Sequence, residues 1–279
     1  MTADAIDYYF WINSDWAYFG NPRLKAMGDR YGLPINYYPV DIGAVYARTG
    51  GIKLPLRSKE RRDYRLLEMR RFRDILGMPI TLEPKHMTQS VEIPSRFAIA
   101  AMQMDIPPHD LVHAIMTALW VEEKDIEDAA TLVAIASGLG LDGEAILARS
   151  RTKEVAEQYY RNTDEGIANG MFVAPFYVFR GEAFWGQDRL DMLDDTIARA
   201  LGKPGVLPGL KVASLSAASG PDPAFPPPPS LPGRPSSTRS STARASTAAF
   251  SRAAWCGSAT RCGVSRWRRV ASAPWSRSC

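Results

Sequence analysis

Two short aromatic segments, separated by one stretch of helical length, open the chain and constrain most strongly what it can fold into. The first, Ile6–Ile12, is aromatic and β-branched, which predicts a buried strand, and Ser14 after it is a typical helix cap. Residues 16–30 then predict a helix that ends at Gly32. A second strand is predicted at Ile35–Val40, so the chain opens strand, helix, strand.

The middle of the chain predicts helices only. Ser58 is the expected cap of a helix that runs to about Leu76. Apolar residues spaced as on a helix face predict another helix around residues 111–119. Further helices are expected at 128–137, 143–149 and 153–168.

The pattern returns to strands after Met171. Residues 172–179 and 183–186 are rich in aromatic and β-branched residues and flank Gly181, which predicts a β-hairpin with Pro175 just before its first strand. If the fold is thioredoxin-like, as the complete order of the elements indicates, this proline is expected to be cis and to leave the backbone before it free for a ligand. The alternative is an ordinary proline at a strand edge.

A last helix is expected from about Arg189 to Leu201, capped by Asp188. The complete order, strand-helix-strand, helical block, then strand-strand-helix, predicts an α/β fold: a thioredoxin-like sheet interrupted by an all-helical insertion. The sheet unit would comprise about residues 1–43 and 170–202, and the insertion about 44–169, within one domain of residues 1–202.

The composition changes at residue 203. Residues 203–279 hold 11 of the 34 basic residues, 11 of the 21 prolines and only one of the 30 acidic residues, Asp222. The first 202 residues are therefore acidic, which argues against nucleic-acid binding by the folded part. We expect the Pro-, Ser- and Arg-rich tail to be disordered, because it buries too little to fold, and its composition also fits a frameshifted reading of GC-rich DNA.

All three cysteines, Cys256, Cys262 and Cys279, lie in this tail. The first 202 residues thus have no thiol for disulfide, nucleophilic or metal chemistry. The chain begins without a basic and then apolar signal segment, and it has no run of 18 apolar residues. We therefore expect a cytoplasmic protein that is neither secreted nor bound to a membrane.

Candidate site residues lie where strands meet helices. Ser14 follows the first strand, where a hydroxyl reaches a ligand and backbone amides carry partial positive charge, although the same residue could serve only as a cap. Gln187 and Asp188 open the last helix after a strand and a glycine, which suits a ligand with an ammonium and a carboxylate. Asp188 could equally serve as an N-cap.

Other chemistry is less well supported. His109 and His113 have the spacing of a helical metal pair but no third ligand, so we expect no metal site and interpret them as surface or partner-helix residues. The helix after Ser58 is strongly basic, and Lys59 at its start could meet an anionic ligand. Motifs for dinucleotide, P-loop or α/β-hydrolase sites are missing from the sequence.

The segments Asp7 to Tyr18, Val173 to Pro175 and Phe184 to Leu190 together resemble 2-hydroxychromene-2-carboxylate isomerases, which are related to kappa-class glutathione transferases and DsbA-type proteins. The resemblance covers about residues 5–201. It implies a glutathione-dependent cis/trans isomerisation in aromatic-compound breakdown, with a small aromatic or conjugated keto acid as substrate and a homodimer as the assembly. It implies neither nucleic acid nor membrane as a partner.

The resemblance also implies roles for particular residues. Ser14 would activate the glutathione thiol, and the others would hold the tripeptide. The implied cofactor-binding residues are Lys59, Ala174 through its backbone, Pro175, Gln187 and Asp188. From their location alone, Trp16 and Tyr18 are expected to line an aromatic pocket.

The sequence departs from the family pattern beside the serine. Asp15 stands where the family usually has proline, and an acid there would oppose thiolate formation. Trp11 replaces the usual aspartate at the end of the first strand. Two alternatives follow: a kappa-like glutathione transferase acting on another electrophile, or a catalytically silent thioredoxin-fold binding module.

Overall fold

The computed structural model describes residues 4–87 and 91–205, all of them within the unit Met1–Ser214. The predictions about the tail therefore lie outside the described residues, apart from residues 203–205. In chain order the elements are β1 Ile6–Phe10, α1 Asp15–Tyr31, β2 Ile35–Pro39, α2 Ile42–Thr49, α3 Lys59–Leu76, α4 Glu92–Met102, α5 Pro108–Trp120, α6 Ala129–Gly138, α7 Gly143–Ser150, α8 Lys153–Ala168, β3 Phe176–Phe179, β4 Glu182–Trp185 and α9 Leu190–Ala200.

The four strands form one mixed sheet in the order β2-β1-β3-β4. β1 pairs in parallel with β2 through the α1 crossover, and it pairs antiparallel with β3 on its other side. β3 and β4 form the predicted hairpin. Helices α2 to α8 all lie between β2 and β3 in the chain, so the predicted thioredoxin-like sheet with a helical insertion is confirmed.

Local sequence signals explain where α1 begins and ends. The Ser14 side chain accepts a hydrogen bond from the Ala17 amide at 3.2 Å, as an N-cap does. Gly32 ends the helix at a φ of 67°, a left-handed conformation that favours glycine. The interval Asp15–Tyr31 extends the predicted helix by one residue at each end.

The sheet is covered by helices on both faces. Side chains alternate along β1, so that Ile6, Tyr8 and Phe10 pack into one large apolar cluster while Tyr9 faces a smaller one. The large cluster includes buried residues of α1, α5 and α9, and the smaller one includes residues of α2 and α8. This arrangement fixes the carboxyl end of the central strand β1, and with it Ser14, at one end of the sheet.

Three expectations about local structure differ from the observed fold. β1 ends at Phe10 rather than Ile12, and the short helices α2 and α4 were not predicted. The prediction that Asp188 caps the last helix is wrong: residues 187–189 form one 3-10 turn, and Arg189 precedes α9 without any side-chain cap. The Asp188 carboxylate instead pairs with Arg189 at 2.7 Å.

Candidate functional site

Ser14 is buried at the carboxyl end of β1, where α1 begins. Its side chain is an acceptor for the Ala17 amide, and its own backbone amide donates to the Trp11 carbonyl at 2.9 Å. A hydroxyl that accepts one hydrogen bond still has its proton to donate. The capping role and a role in binding a ligand atom are therefore compatible in Ser14.

Asp15 follows Ser14 in the first turn of α1 and is also buried. Its Oδ2 lies 2.9 Å from Nε of Arg65 on α3, and the two side chains are only 8% and 10% exposed. The Arg65 guanidinium also lies 5.9 Å from the ring of the buried Trp120. The acid beside Ser14 is thus neutralised by a partner that sequence reasoning did not single out.

Residues 173–175 directly precede β3, the strand beside β1, and Val173 and Ala174 line the same cavity as Ser14. The Ala174–Pro175 peptide is cis, as predicted. The ladder between β1 and β3 begins at the pair Tyr9 and Phe176, so Ala174 lies before the first paired residue. Pro175 in turn accepts a hydrogen bond from the Gly186 amide at 3.0 Å, which ties this segment to the turn at residues 187–189.

Gln187 is almost fully buried and is held by an arginine from α1. Arg23 Nη1 donates to the Gln187 side-chain oxygen at 2.7 Å and to its backbone oxygen at 2.9 Å. The Gln187 Nε2 group is buried without a hydrogen-bond partner in the described part of the chain. A buried donor left without a partner is costly, so it indicates a place for an additional acceptor.

Two adjoining cavities join these segments. The first, of about 270 Å³, contains Ser14, Asp15 and Ala174 in its wall, and the second, of about 660 Å³, contains Pro175, Gln187 and Asp188. Their shared wall consists of Trp16, Arg57, Arg61, Arg65 and Trp185. The fold therefore brings together at one site Ser14, Trp16, Ala174, Pro175, Gln187 and Asp188 of the predicted residues.

Two predicted site residues lie elsewhere. Lys59 borders neither cavity: its ammonium pairs with Asp63 on the exposed side of α3, and its side chain is 75% exposed. Tyr18 is buried behind the site, where its hydroxyl donates to the Pro79 carbonyl at 2.8 Å. Neither side chain reaches the wall that contains Ser14.

Arginines rather than Lys59 supply the positive charge at the cavities. Arg57 donates to the Tyr46 hydroxyl at 3.2 Å and to the Ile52 carbonyl at 2.9 Å. The Arg61 side chain, one helical turn before Arg65, borders both cavities and has no ion-pair or hydrogen-bond partner among the residues that the structure describes. The basic run of α3 was noted from the sequence, and the i, i+4 spacing puts Arg61 and Arg65 on one face of the helix, but it does not show that this face borders the cavities.

His109 and His113, interpreted from the sequence as surface or partner-helix residues, lie against α1. Both are half-buried: His109 Nδ1 lies 3.1 Å from the Tyr37 hydroxyl, and the His113 ring stacks on Tyr18 at 5.7 Å. Burial lowers the pKa of both imidazoles. Within residues 4–87 and 91–205, no group of three His, Cys, Asp or Glu side chains could hold a metal ion.

No helix in the described ranges combines the length and the apolar character needed to cross a lipid bilayer.

A β-α-β unit and a β-hairpin in one sheet, a helical insertion between them and a cis-proline directly before β3 define a thioredoxin-fold protein. Within that class the chain belongs to the DSBA-like thioredoxin domain family, whose family model matches residues 5–198.

Named relatives agree with this assignment. The chain is 27% identical over 197 residues to a 2-hydroxychromene-2-carboxylate isomerase of Pseudomonas putida, covering 70% of this chain and 94% of the relative. It is 24% identical over 212 residues to a kappa 2 glutathione S-transferase of Caenorhabditis elegans, covering 71% and 94%. A solved 2-hydroxychromene-2-carboxylate isomerase structure has a TM-score of 0.62 at 23% identity, covering 71% and 96%. These relatives support an enzyme of the isomerase or glutathione-transferase type.

Proposed function

We propose that the protein binds glutathione in the two adjoining cavities and catalyses a cis/trans isomerisation like that of the 2-hydroxychromene-2-carboxylate isomerases. The observation that carries the proposal is the place of Ser14, buried at the start of α1 and in the wall of a cavity, in a domain that has no cysteine. A thioredoxin-fold domain without a thiol needs a thiol from a small molecule if it is to do sulfur chemistry at this corner.

The donor set of the cavities fits glutathione. The tripeptide has a central thiol, carboxylates at its two ends and one ammonium group. The cavity walls offer the Ser14 hydroxyl, the partnerless Gln187 Nε2, the unpaired Arg61 guanidinium and the half-exposed Asp188 carboxylate. Each of these groups matches one kind of charge or hydrogen-bonding group on the tripeptide.

Roles follow from position. The Ser14 proton can be donated to the sulfur, and the first amides of α1 favour negative charge beside it. The Ala174 backbone, free of the sheet ladder, would pair with the cysteinyl part, while Gln187 and Asp188 would hold the γ-glutamyl part. Arg61, rather than Lys59, is placed to meet a carboxylate. Bound glutathione would supply a thiol that adds reversibly to a conjugated double bond, which permits rotation about that bond.

The larger cavity suits an aromatic acid as substrate. The aromatic residues in its wall are Trp16, Tyr64, Phe72 and Trp185, and its cations include Arg57, Arg61 and Arg65. Flat apolar surface and guanidinium groups together fit a conjugated keto acid with an aromatic ring. The substrate is accordingly proposed to be a small aromatic-degradation intermediate. A homodimer, implied by the family resemblance, stays a prediction that the mass in solution would test.

A kappa-like glutathione transferase is the second candidate. The named relative from Caenorhabditis elegans favours it, and the same Ser14 site would serve both activities. The two activities differ in the electrophile and in the fate of glutathione. A transferase joins the thiol permanently to its substrate, whereas an isomerase returns free glutathione. The silent binding module was suggested by Asp15, and its argument is weakened because Arg65 offsets that charge.

The first experiment is a calorimetric titration of the full chain with glutathione, repeated with Ser14→Ala. We expect saturable binding by the unaltered protein, followed by turnover of a 2-hydroxychromene-2-carboxylate with no net loss of glutathione. Turnover of chlorodinitrobenzene with consumption of glutathione, and none of the chromene, would favour the transferase. A folded protein that does not bind glutathione at millimolar concentration would contradict both enzymes and support the binding module.

A further inference from the structure

Arg65 is the feature of the site that neither the capping of α1 nor the binding of a tripeptide explains. Its side chain is nine-tenths buried on α3, and it borders both cavities. A buried arginine is costly unless it is paired, and Asp15 is its one ion-pair partner within residues 4–87 and 91–205. The pair therefore places two buried opposite charges next to the residue that is proposed to contact the thiol.

Without Arg65 the charge of Asp15 would act against the proposed chemistry. Asp15 directly follows Ser14 and lies in the same cavity wall. A carboxylate near a thiol disfavours the thiolate, because like charges repel strongly where water is excluded. The favourable field of the α1 N-terminus would then be opposed by the first side chain of the same helix.

Arg65 has a hydrogen-bond donor that Asp15 does not use. Its Nε lies 2.9 Å from Asp15 Oδ2, yet the two groups are not aligned for a hydrogen bond, and Nη2 is buried with no hydrogen-bond partner in the described ranges. Arg65 Cζ lies over the ring of Trp120, 5.9 Å from the ring centroid. A buried donor with no partner, in a wall shared by two cavities, points to an acceptor that arrives with a ligand.

We propose that Arg65 is a positioning residue for the thiol site: it cancels the charge of Asp15 beside Ser14, so that the site can hold a thiolate. This inference rests on the proposed binding of glutathione. It requires that the charges of Asp15 and Arg65 shift the pKa of the bound thiol in opposite directions. Removing both charges should then return that pKa to near its starting value.

Other charged and titratable groups surround the pair. Tyr46 on α2 faces Asp15; burial raises the pKa of its hydroxyl, Arg57 lowers that pKa and the Asp15 charge raises it slightly. The remaining groups in the cavity walls are Arg57, Glu60, Arg61, Tyr64, Glu68, Asp188 and Arg189. They are unchanged in the comparison below, so their contribution is the same in every variant.

The test measures the pKa of the glutathione thiol in the complex, from the ultraviolet absorbance of the thiolate as a function of pH. The full chain is compared with Asp15→Asn, Arg65→Met and the double variant. We expect Arg65→Met to raise the thiol pKa by about one unit or more and Asp15→Asn to lower it by a similar amount. The double variant should return it to near the starting value.

Controls separate this effect from a structural one. Arg73→Met removes an exposed arginine of the same helix that pairs with Asp74, neither of which borders the cavities, and it should leave the thiol pKa unchanged. Arg65→Lys keeps the charge. If Arg65→Met does not fold, the thiol pKa is compared among the unaltered protein, Arg65→Lys and Asp15→Asn. If all folded variants have the same thiol pKa and differ only in unfolding temperature, this proposal is overturned and the proposed function is not. No glutathione binding by the unaltered protein overturns the proposed function and this inference together.

Discussion

Arg23 and Gln187, 164 residues apart in the chain, are joined by two hydrogen bonds from one guanidinium nitrogen. The same arginine pairs through Nη2 with Asp191 at 2.8 Å. α1 thereby fixes the turn before α9, and the free amide nitrogen of Gln187 is held in a defined direction. The position of one proposed ligand group thus depends on a residue that borders neither of the two cavities at Ser14.

This link predicts that Arg23→Met weakens glutathione binding without touching the ligand. Freed from Arg23, Gln187 would sample other rotamers, and we expect the Kd to rise by about fivefold to tenfold, as for the loss of one oriented hydrogen bond. Arg30→Met is the matched control, because Arg30 lies on the same helix and pairs with Asp194, near the middle of α9. Calorimetry should show an unchanged Kd for the control; an equal loss in both variants would indicate general loosening of α1 against α9.

Ser14→Ala separates the cap of α1 from the chemistry at the thiol. The loss of one capping hydrogen bond should lower the free energy of unfolding by about 1 kcal/mol. Asp142→Ala removes the single cap bond of α7, from the Ala145 amide at 3.0 Å, and should cost a similar amount. Only Ser14→Ala should also raise the pKa of the glutathione thiol in the complex. The same variant should lower kcat by about tenfold or more. If kcat falls equally in the two variants, Ser14 acts only as a cap.

The helix boundaries were predictable because their causes are local. Ser58 and Asp128 each accept amide hydrogen bonds one turn ahead, so residue type alone indicates where α3 and α6 begin. Asp188 has the same residue type, but Gly186 before it adopts a φ of 93° and the chain enters a 3-10 turn. Nothing in the local sequence distinguishes that turn from an ordinary helix start.

The charges of the site were less predictable, because they depend on packing between distant elements. Asp15 meets Arg65 only because α1 and α3 pack together, fifty residues apart in the chain. The basic stretch of α3 offers several arginines, and the sequence does not show which of them face inward. The neighbours of His109 were not predictable for the same reason: Asn21 and Tyr37 come from α1 and β2.

Gly186 controls the position of Asp188. A Cβ at residue 186 would lie 2.5 Å from Asp188 Oδ1, and the φ of 93° already disfavours any other residue. We expect Gly186→Ala to move the carboxylate and raise the Kd for glutathione by about tenfold. Gly181 has a similar φ of 84°, but an added Cβ there would meet no atom within 4 Å. Gly181→Ala therefore measures only the loss of stability caused by the backbone conformation. Equal unfolding losses with a changed Kd only for Gly186→Ala would confirm the role of Asp188.

Arg61 and Lys59 provide a direct comparison between the sequence-based and the structure-based choice of cation. Arg61 borders both cavities and has no ion-pair partner in the described part of the chain, whereas Lys59 is paired with Asp63 and borders neither cavity. Arg61→Met should raise the Kd for glutathione by about tenfold, and Lys59→Met should change it by less than about twofold. Both positions are exposed, so neither variant should unfold the protein. A larger effect at Lys59 would restore the prediction made from the sequence.

Glu127, remote from the site, predicts a specific pH dependence of stability. Burial, reinforced by the charge of Asp125, raises its pKa to about 7 from the ordinary value of 4.5. Between these values the unfolded chain has released the proton while the folded protein still holds it. The unfolded state therefore binds fewer protons, and the free energy of unfolding falls as the pH rises from about 4.5 to about 7.

Glu127→Gln removes this titration and keeps the shape of the side chain. The variant should match the unaltered protein near pH 4 and become more stable by about 1–2 kcal/mol above pH 7, where the carboxylate of the unaltered protein is charged. The lowered pKa values of His109 and His113 cost stability at acid pH, but they do so equally in both proteins and cancel in the difference. Glu182→Gln, at an exposed position of β4, serves as the control. Chemical denaturation at several pH values measures the difference, and a constant offset across that range would contradict the assignment to Glu127, because a packing effect of the amide would not depend on pH.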